Sequence, residues 1–324
     1  EAAALFRAFL PHSMQHAEAW APLSWFDQVP ISVLQADTGL MQYYTHALLM
    51  NGRCEEARPL VAAFEHQKDI DSTQRQHGWQ AVFLATLAIM DGDREESLHQ
   101  SHRALGLFPL EESTGRLLAW SYIYKEETSR GHRELGQIVL QQAEKNRSRQ
   151  PRPEVCWHFL LEPYVANDLA IQGDLCASEE LNRHFMASIS PELGSSLGKF
   201  RVQLLSIYLE QQHLDRARAE VAALLDDMQG RPYGIWFPEA LMAIANYELA
   251  TGNPERAREL LDRARRLSQQ HGGQEHIAKI KTALAGYWLH TGQDHLARYW
   301  ADRNPVSRHL ARDFGDIEPR TVHL

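Results

Sequence analysis

Residues able to do chemistry are plentiful in this 324-residue chain, yet few stand at working spacings. Of its 17 histidines, His12 and His16 (i, i+4) and His99 and His102 (i, i+3) can each share one helix face. Neither pair has a third ligand nearby or sits in an H-E-x-x-H or Cys-rich frame, so both read as solvated or capping histidines and no metal is expected. The run Gly194-Ser195-Ser196-Leu197-Gly198-Lys199-Phe200 approaches a phosphate-cradling loop. It is one residue short between its glycines and has Phe where Mg²⁺ binding needs Ser or Thr, so it reads as a loop leading into a helix. No G-x-S-x-G elbow is present, and Glu111-Glu112 and Asp226-Asp227 fall near helix ends, where solvated charge is ordinary. The expectation is a protein without catalysis and without a cofactor in this stretch. What remains is binding chemistry, in aromatic and hydrogen-bonding side chains that recur at fixed intervals.

Those intervals come from a repeat. A Gly or polar breaker is followed five residues later by a small residue in seven registers: Gly52/Ala57, Gly92/Ser97, Gly131/Gly136, Gly173/Ser178, Gln212/Ala217, Gly252/Ala257 and Gly292/Ala297. From 52 to 92, 131, 173, 212, 252 and 292 the steps are 40, 39, 42, 39, 40 and 40 residues. Such a period is the signature of stacked supersecondary units. Gly suits a left-handed helix C-terminus, and Asp93, Asp174 and Asn253-Pro254 suit the start of the next helix, so each register predicts helix, tight turn, helix. Eight residues before the breakers stand Tyr44, Leu84, Ile123, Val165, Leu204, Ile244 and Leu284; three before stand Leu49, Ile89, Thr128, Ala170, Leu209, Leu249 and Leu289. These columns are the expected seams. With no sustained period-two alternation, the predicted fold is all-α: a right-handed solenoid of about seven hairpins over residues 38–304, flanked by capping helices in 1–37 and a cap or linker in 305–324.

Helical geometry then collects positions 13, 10, 9, 6 and 2 before each breaker on one stripe, the face that lines the groove of such a solenoid. The column at minus six reads His46, Thr86, Lys125, Asn167, Ser206, Asn246 and Gly286. At minus nine stand Tyr43, Phe83, Tyr122, Tyr164, Gln203, Ala243 and Ala283, and at minus thirteen Trp79 and Lys199 extend the set. Apolar walls with a few convergent polar groups make a binding site. The expected ligand contacts are therefore Trp79, Tyr122, Lys125, Tyr164, Asn167, Lys199, Gln203, Ser206 and Asn246, taking a carbohydrate, another small organic molecule or a peptide segment. The equally available reading is that the aromatics are core and the polar column faces water. Trp236-Phe237 is a second candidate contact, with an inter-repeat staple as its alternative.

Composition narrows the partners. The net charge of −9 and pI near 6.0 give no electrostatic footprint for nucleic acid, and Lys145, Arg147, Arg149 and Arg152 read as a solvated helix terminus before Pro151 and Pro153. Three cysteines, Cys54, Cys156 and Cys176, form no C-x-x-C pair, which points to a reducing compartment and a cytoplasmic address. No apolar run reaches the length of a membrane span. The opening Glu1-Ala2-Ala3-Ala4-Leu5-Phe6-Arg7 has no secretory signal pattern and no Met, and reads as the start of a domain excised from a longer protein.

The Gly and small-residue spacing resembles the tetratricopeptide pattern, with a longer step. A sharper likeness lies in Trp25-Phe26-Asp27-Gln28-Val29-Pro30, in Ala47 to Ala57 with Glu65, and in Gly92-Asp93, Arg103-Ala104-Leu105 and Phe108-Pro109. These residues resemble the sensor domain of MalT-like, LuxR-type ATP-dependent transcriptional regulators. The resemblance implies a superhelix that binds a small inducer and mediates self-association, placed between an NTPase domain and a LuxR-type helix-turn-helix. Thr38-Gly39-Leu40, where a Pro-led helix start is common, and Gln212 in place of the turn Gly depart from the pattern. A generic tetratricopeptide scaffold for protein or peptide partners is the rival reading.

Overall fold

The computed structural model describes residues 23, 26–64, 73–147, 161–188, 197–229, 234, 236–271 and 273–303. Among these residues there are fifteen helices and no strand. They are α1 (Ile31–Gln35), α2 (Thr38–Met50), α3 (Cys54–Ala63), α4 (Thr73–Asp91), α5 (Arg94–Leu107), α6 (Ser113–Ser129), α7 (Arg133–Arg147), α8 (Glu162–Ile171), α9 (Leu175–Ser188), α10 (Gly198–Glu210), α11 (Leu214–Met228), α12 (Phe237–Ala250), α13 (Pro254–Gln270), α14 (Gln274–His290) and α15 (Asp294–Arg303).

From α2 onward the helices pair in order into seven hairpins, each helix packed on its successor across a short turn. The turns share one geometry. Gly52, Gly92, Gly131, Gly173, Gly252 and Gly292 all have positive φ, between 69° and 88°, and Gln212 is the one non-Gly residue that does, at 59°, among the described residues. In every turn the N–H one residue after the breaker donates to the carbonyl four residues before it: Arg53 to Leu48, Asp93 to Ala88, His132 to Glu127, Asp174 to Leu169, His213 to Tyr208, Asn253 to Glu248 and Gln293 to Trp288, at 2.7–3.0 Å. This is the six-to-one bond of a Schellman cap, which occupies carbonyls that the ending helix cannot. The following helix is capped where an acid is available: Asp93 Oδ1 accepts from Glu96 N at 3.1 Å, and Asp174 Oδ1 from Ala177 N at 3.0 Å. Asn253 differs from expectation. Its amide donates to Glu248 and Thr251 instead of accepting, which leaves Pro254 to start α13.

Packing follows from the small column. Ala57, Ser97, Ser178, Ala217 and Ala257 are fully buried and Ala297 nearly so. At Gly136, within α7, a Cβ would come within 2.6 Å of the Thr128 methyl, so a side chain there would have to push that methyl aside. Each second helix buries a narrow stripe, such as Ala217, Val221, Leu224 and Met228 on α11 or Ala257, Leu260, Leu261 and Ala264 on α13, spaced to fall on one face. In the minus-three column Leu49 is buried and Ile89, Thr128, Ala170, Leu209 and Leu249 are half-buried. Leu289 is 53% exposed, because no further hairpin stands beside α14 and α15 among the described residues.

At the front, α2 is capped by Asp37, whose Oδ1 accepts from Leu40 N at 3.2 Å, so the Thr38-Gly39-Leu40 start needs no proline. The short helix Ile31–Gln35 was not foreseen. Of the expected capping region before residue 27, only Leu23 and Phe26 are described, both buried; the remainder, the Gly194–Ser196 part of the near P-loop, His12, His16 and the tail after 303 lie outside the described residues.

Candidate functional site

The first helices of successive hairpins touch one another in one continuous row, α2, α4, α6, α8, α10, α12 and α14, while the second helices α3, α5, α9, α11 and α13 pack against the first helix of the next hairpin. The row is the inner layer, and its free face carries the stripe. Four of the predicted contacts come together there. Lys199 on α10 holds its ammonium 5.4 Å from the centre of the Tyr164 ring on α8, a cation–π arrangement. Lys125 stands on α6, the inner helix that packs beside α8. Gln203 bridges α10 to α8, its Nε2 donating to the Pro163 carbonyl at 2.6 Å, while its Oε1 is shielded from water and accepts nothing. A buried acceptor left open is costly unless something supplies a donor.

The other predicted residues divide. Asn167, Ser206 and Asn246 are exposed along the polar column; Ser206 donates to the Val202 carbonyl of its own helix at 3.0 Å. Trp79 sits in core, 2% exposed, with its ring 5.7 Å from Phe83 and edge-on to Phe108 at 5.6 Å. Gly78 and Gly115 leave the room for Phe108 to enter beside it, since a Cβ at either would lie within 2.6 Å of that ring. Tyr122 is 6% exposed, and its hydroxyl is 2.9 Å from Thr86 Oγ1, which in turn donates to the Val82 carbonyl. Burial raises the Tyr122 pKa, with the Thr86 contact working against it. Trp236 stands edge-on to Phe237 and covers Gly198, where a Cβ would be about 2.5 Å from the indole, so it staples α10 to the start of α12.

Lys125 and Lys199 belong to a charge network reaching the last hairpins. Lys125 Nζ donates to both carboxylate oxygens of Glu275 on α14 at 3.1 Å. Lys279, one turn further on α14, is 3.1 Å from Glu275 and donates to Glu239 on α12 at 2.8 Å. Burial pushes the Glu239 carboxyl up, but Lys279, His276 and Lys199 outweigh it and hold it at about 2. Glu275 likewise lies well below the usual carboxylate range, since Lys125 and Lys279 overcome its burial. His276, only 8% exposed and 3.8 Å from Glu239, is driven toward its neutral form by burial. The network is a set of mutually compensated charges. Among the described residues no group of His, Cys, Asp and Glu comes together as a metal site, and His99 and His102 are exposed.

The sequence reading overlooked Glu239, Glu275, His276 and Lys279. Two of them were within its reach: Glu239 and Lys279 occupy the same minus-thirteen column as Lys199, so charge alternates down three consecutive inner helices. Glu275 had no such signal, because its partner is 150 residues away.

The chain is distantly similar to MalT. It is 23% identical over 296 residues to the HTH-type transcriptional regulator MalT of two Klebsiella pneumoniae strains, and 23% identical over 320 residues to that of Cronobacter sakazakii. These alignments cover 84% and 91% of the chain, which spans only about a third of the length of these curated relatives (32% and 35%). No protein-family model matches. No helix among the described residues is long and apolar enough to cross a membrane.

Proposed function

We propose that this chain is the effector-sensing and self-association domain of a MalT-like, LuxR-type regulator, folded as a right-handed, tetratricopeptide-like superhelix whose inner face binds a small-molecule inducer. The observation that carries the reading is the placement of Lys125, Tyr164, Lys199 and Gln203 on three consecutive inner helices, where the Lys199 ammonium lies over the Tyr164 ring and Gln203 bridges α10 to α8 with one buried acceptor open. An aromatic platform, ammonium groups and amides suit a polar organic molecule such as a carbohydrate, which offers apolar faces and hydroxyl donors together. The reading includes no cofactor in this stretch and no direct nucleic-acid contact.

Titration calorimetry of the purified chain with a panel of oligosaccharides and small polar metabolites tests this. Tyr164→Ala and Asn167→Ala should each weaken binding at least tenfold while the helical melt is nearly unchanged. Loss of binding only in parallel with loss of folding would return these residues to the core, and a peptide binding where no small molecule does would favour the scaffold reading. In the full-length gene product, a P-loop before this stretch and a helix-turn-helix after it are expected; their absence would overturn the regulator assignment.

A further inference from the structure

The inner row does more than follow the chain. In addition to its neighbour α12, α14 of the seventh hairpin packs against α4 of the second, so the succession of hairpins closes on itself. Beside that seam, Glu275 in the first turn of α14 takes Lys125 from the third hairpin, the ion pair separated by 150 residues in sequence. Both side chains are largely withdrawn from water, Lys125 at 20% and Glu275 at 24% exposed. An ion pair so placed is screened less than a surface pair, and breaking one partner leaves a charge poorly solvated.

The location decides what such a pair can act on. In a row of hairpins each unit is covered by its immediate neighbours, so its own folding does not require a unit four places away. A bond from the third hairpin to the seventh bears only on closure. It is also backed on both sides: Lys279 and Glu239 extend the alternation along α14 and α12, and Glu126, next to Lys125, lies 3.3 Å from Arg94 and 3.9 Å from Lys125, farther than the 3.1 Å from Lys125 to Glu275. Exposure varies along the minus-six column, where His46 of the first hairpin is also partly covered. Asn167, Ser206, Asn246 and Gly286 are open, whereas Thr86 is buried and Lys125 partly covered.

We propose that the Lys125–Glu275 pair is a latch that holds the turn of hairpins closed, and that the α4–α14 seam is where the turn opens. Closed, it covers the Thr86, Tyr122 and Lys125 end of the inner face; open, it uncovers that end. The proposal concerns the empty chain and stands or falls separately from any ligand.

Spin labels at Gln141 on α7 and Arg298 on α15, both exposed and in hairpins three and seven, read the closure directly in a Cys156→Ser, Cys176→Ser background by double electron–electron resonance. The parent should give one short distance. Lys125→Met and Glu275→Gln should each add a longer population, their combination should open the turn no further than either alone, and Lys125→Arg should keep it closed. Unchanged distances in both single variants would overturn the latch. So would loss of helical circular dichroism in either, since the pair would then serve the folding of its own hairpins, and so would a double variant more open than both singles.

Discussion

The turns offer a test in which one chemical change must have opposite signs at two sites. At Gly252 φ is +83° and a Cβ would meet no atom within 4 Å, so Gly252→Ala introduces no clash and acts only through backbone conformation. Holding an L-residue in the left-handed region costs roughly 1–2 kcal/mol. The stiffer unfolded chain returns about 0.4–1 kcal/mol of that, for a net destabilisation near 1 kcal/mol. Gly286 lies inside α14 at ordinary helical φ, is exposed, and also has open space at its Cβ. There Gly286→Ala should stabilise by roughly 0.5–1 kcal/mol, the usual gain for Ala over Gly within a helix. Gln212 provides the converse: it is strained at φ +59° where six other turns have Gly, and Gln212→Gly should stabilise by about 0.5–1 kcal/mol. Urea unfolding followed by circular dichroism at 222 nm measures all three. If Gln212→Gly lowers the midpoint, or if the two Gly→Ala changes move it in the same direction, the equivalence of the seven turns is refuted.

Other outcomes follow from the same interior. Ala217→Leu and Ala257→Leu add volume where neither alanine has any exposed surface, and each should cost about 1–3 kcal/mol by overpacking; unchanged thermal stability in both would show that the small column is not the hairpin contact. Acid should act in two stages. Burial holds the His46 pKa at about 4 against an ordinary 6.5, so only the unfolded chain gains that proton, and the stability His46 gives is present above pH 6.5 and lost as pH falls toward 4. Glu239 and Glu275 are depressed below 4.5, so their contribution is present above that pH and lost as pH falls from 4.5 toward 2. Urea midpoints against pH check this: His46→Gln should flatten the upper window and leave the lower one unchanged, Glu239→Gln should flatten the lower one, and a lower window flattened by His46→Gln would contradict the assignment.

Local rules reached the hairpins because each hairpin is a local object. Gly or Gln at the turn, a small residue five positions on and Leu or Ile eight positions before suffice to place Gly252, Ala257 and Ile244 in their roles, and no distant contact alters them. Asn253 shows the limit of that reasoning, since its side chain had two local partners to choose between and took Glu248. Stripe residues were legible as a face, but periodicity does not say how deep a face lies. Trp79 is on the stripe by spacing and in the core by packing, because Gly78 and Gly115 admit Phe108 beside it. Closure of the row was beyond reach altogether: the rotation between successive hairpins is set by side-chain volumes at every seam, and only its accumulated value brings Glu275 to Lys125.

Hydrogen exchange with mass spectrometry addresses the central claim, an inner face that receives a small polar ligand, because it reads every helix of the unsubstituted chain at once. The purified chain would be compared with and without whichever oligosaccharide or metabolite binds it in the titration. The account predicts slowed exchange in peptides from α6, α8 and α10, with α7, α9 and α11 unchanged. Protection confined to the outer helices, or spread evenly over all seven hairpins, would contradict it.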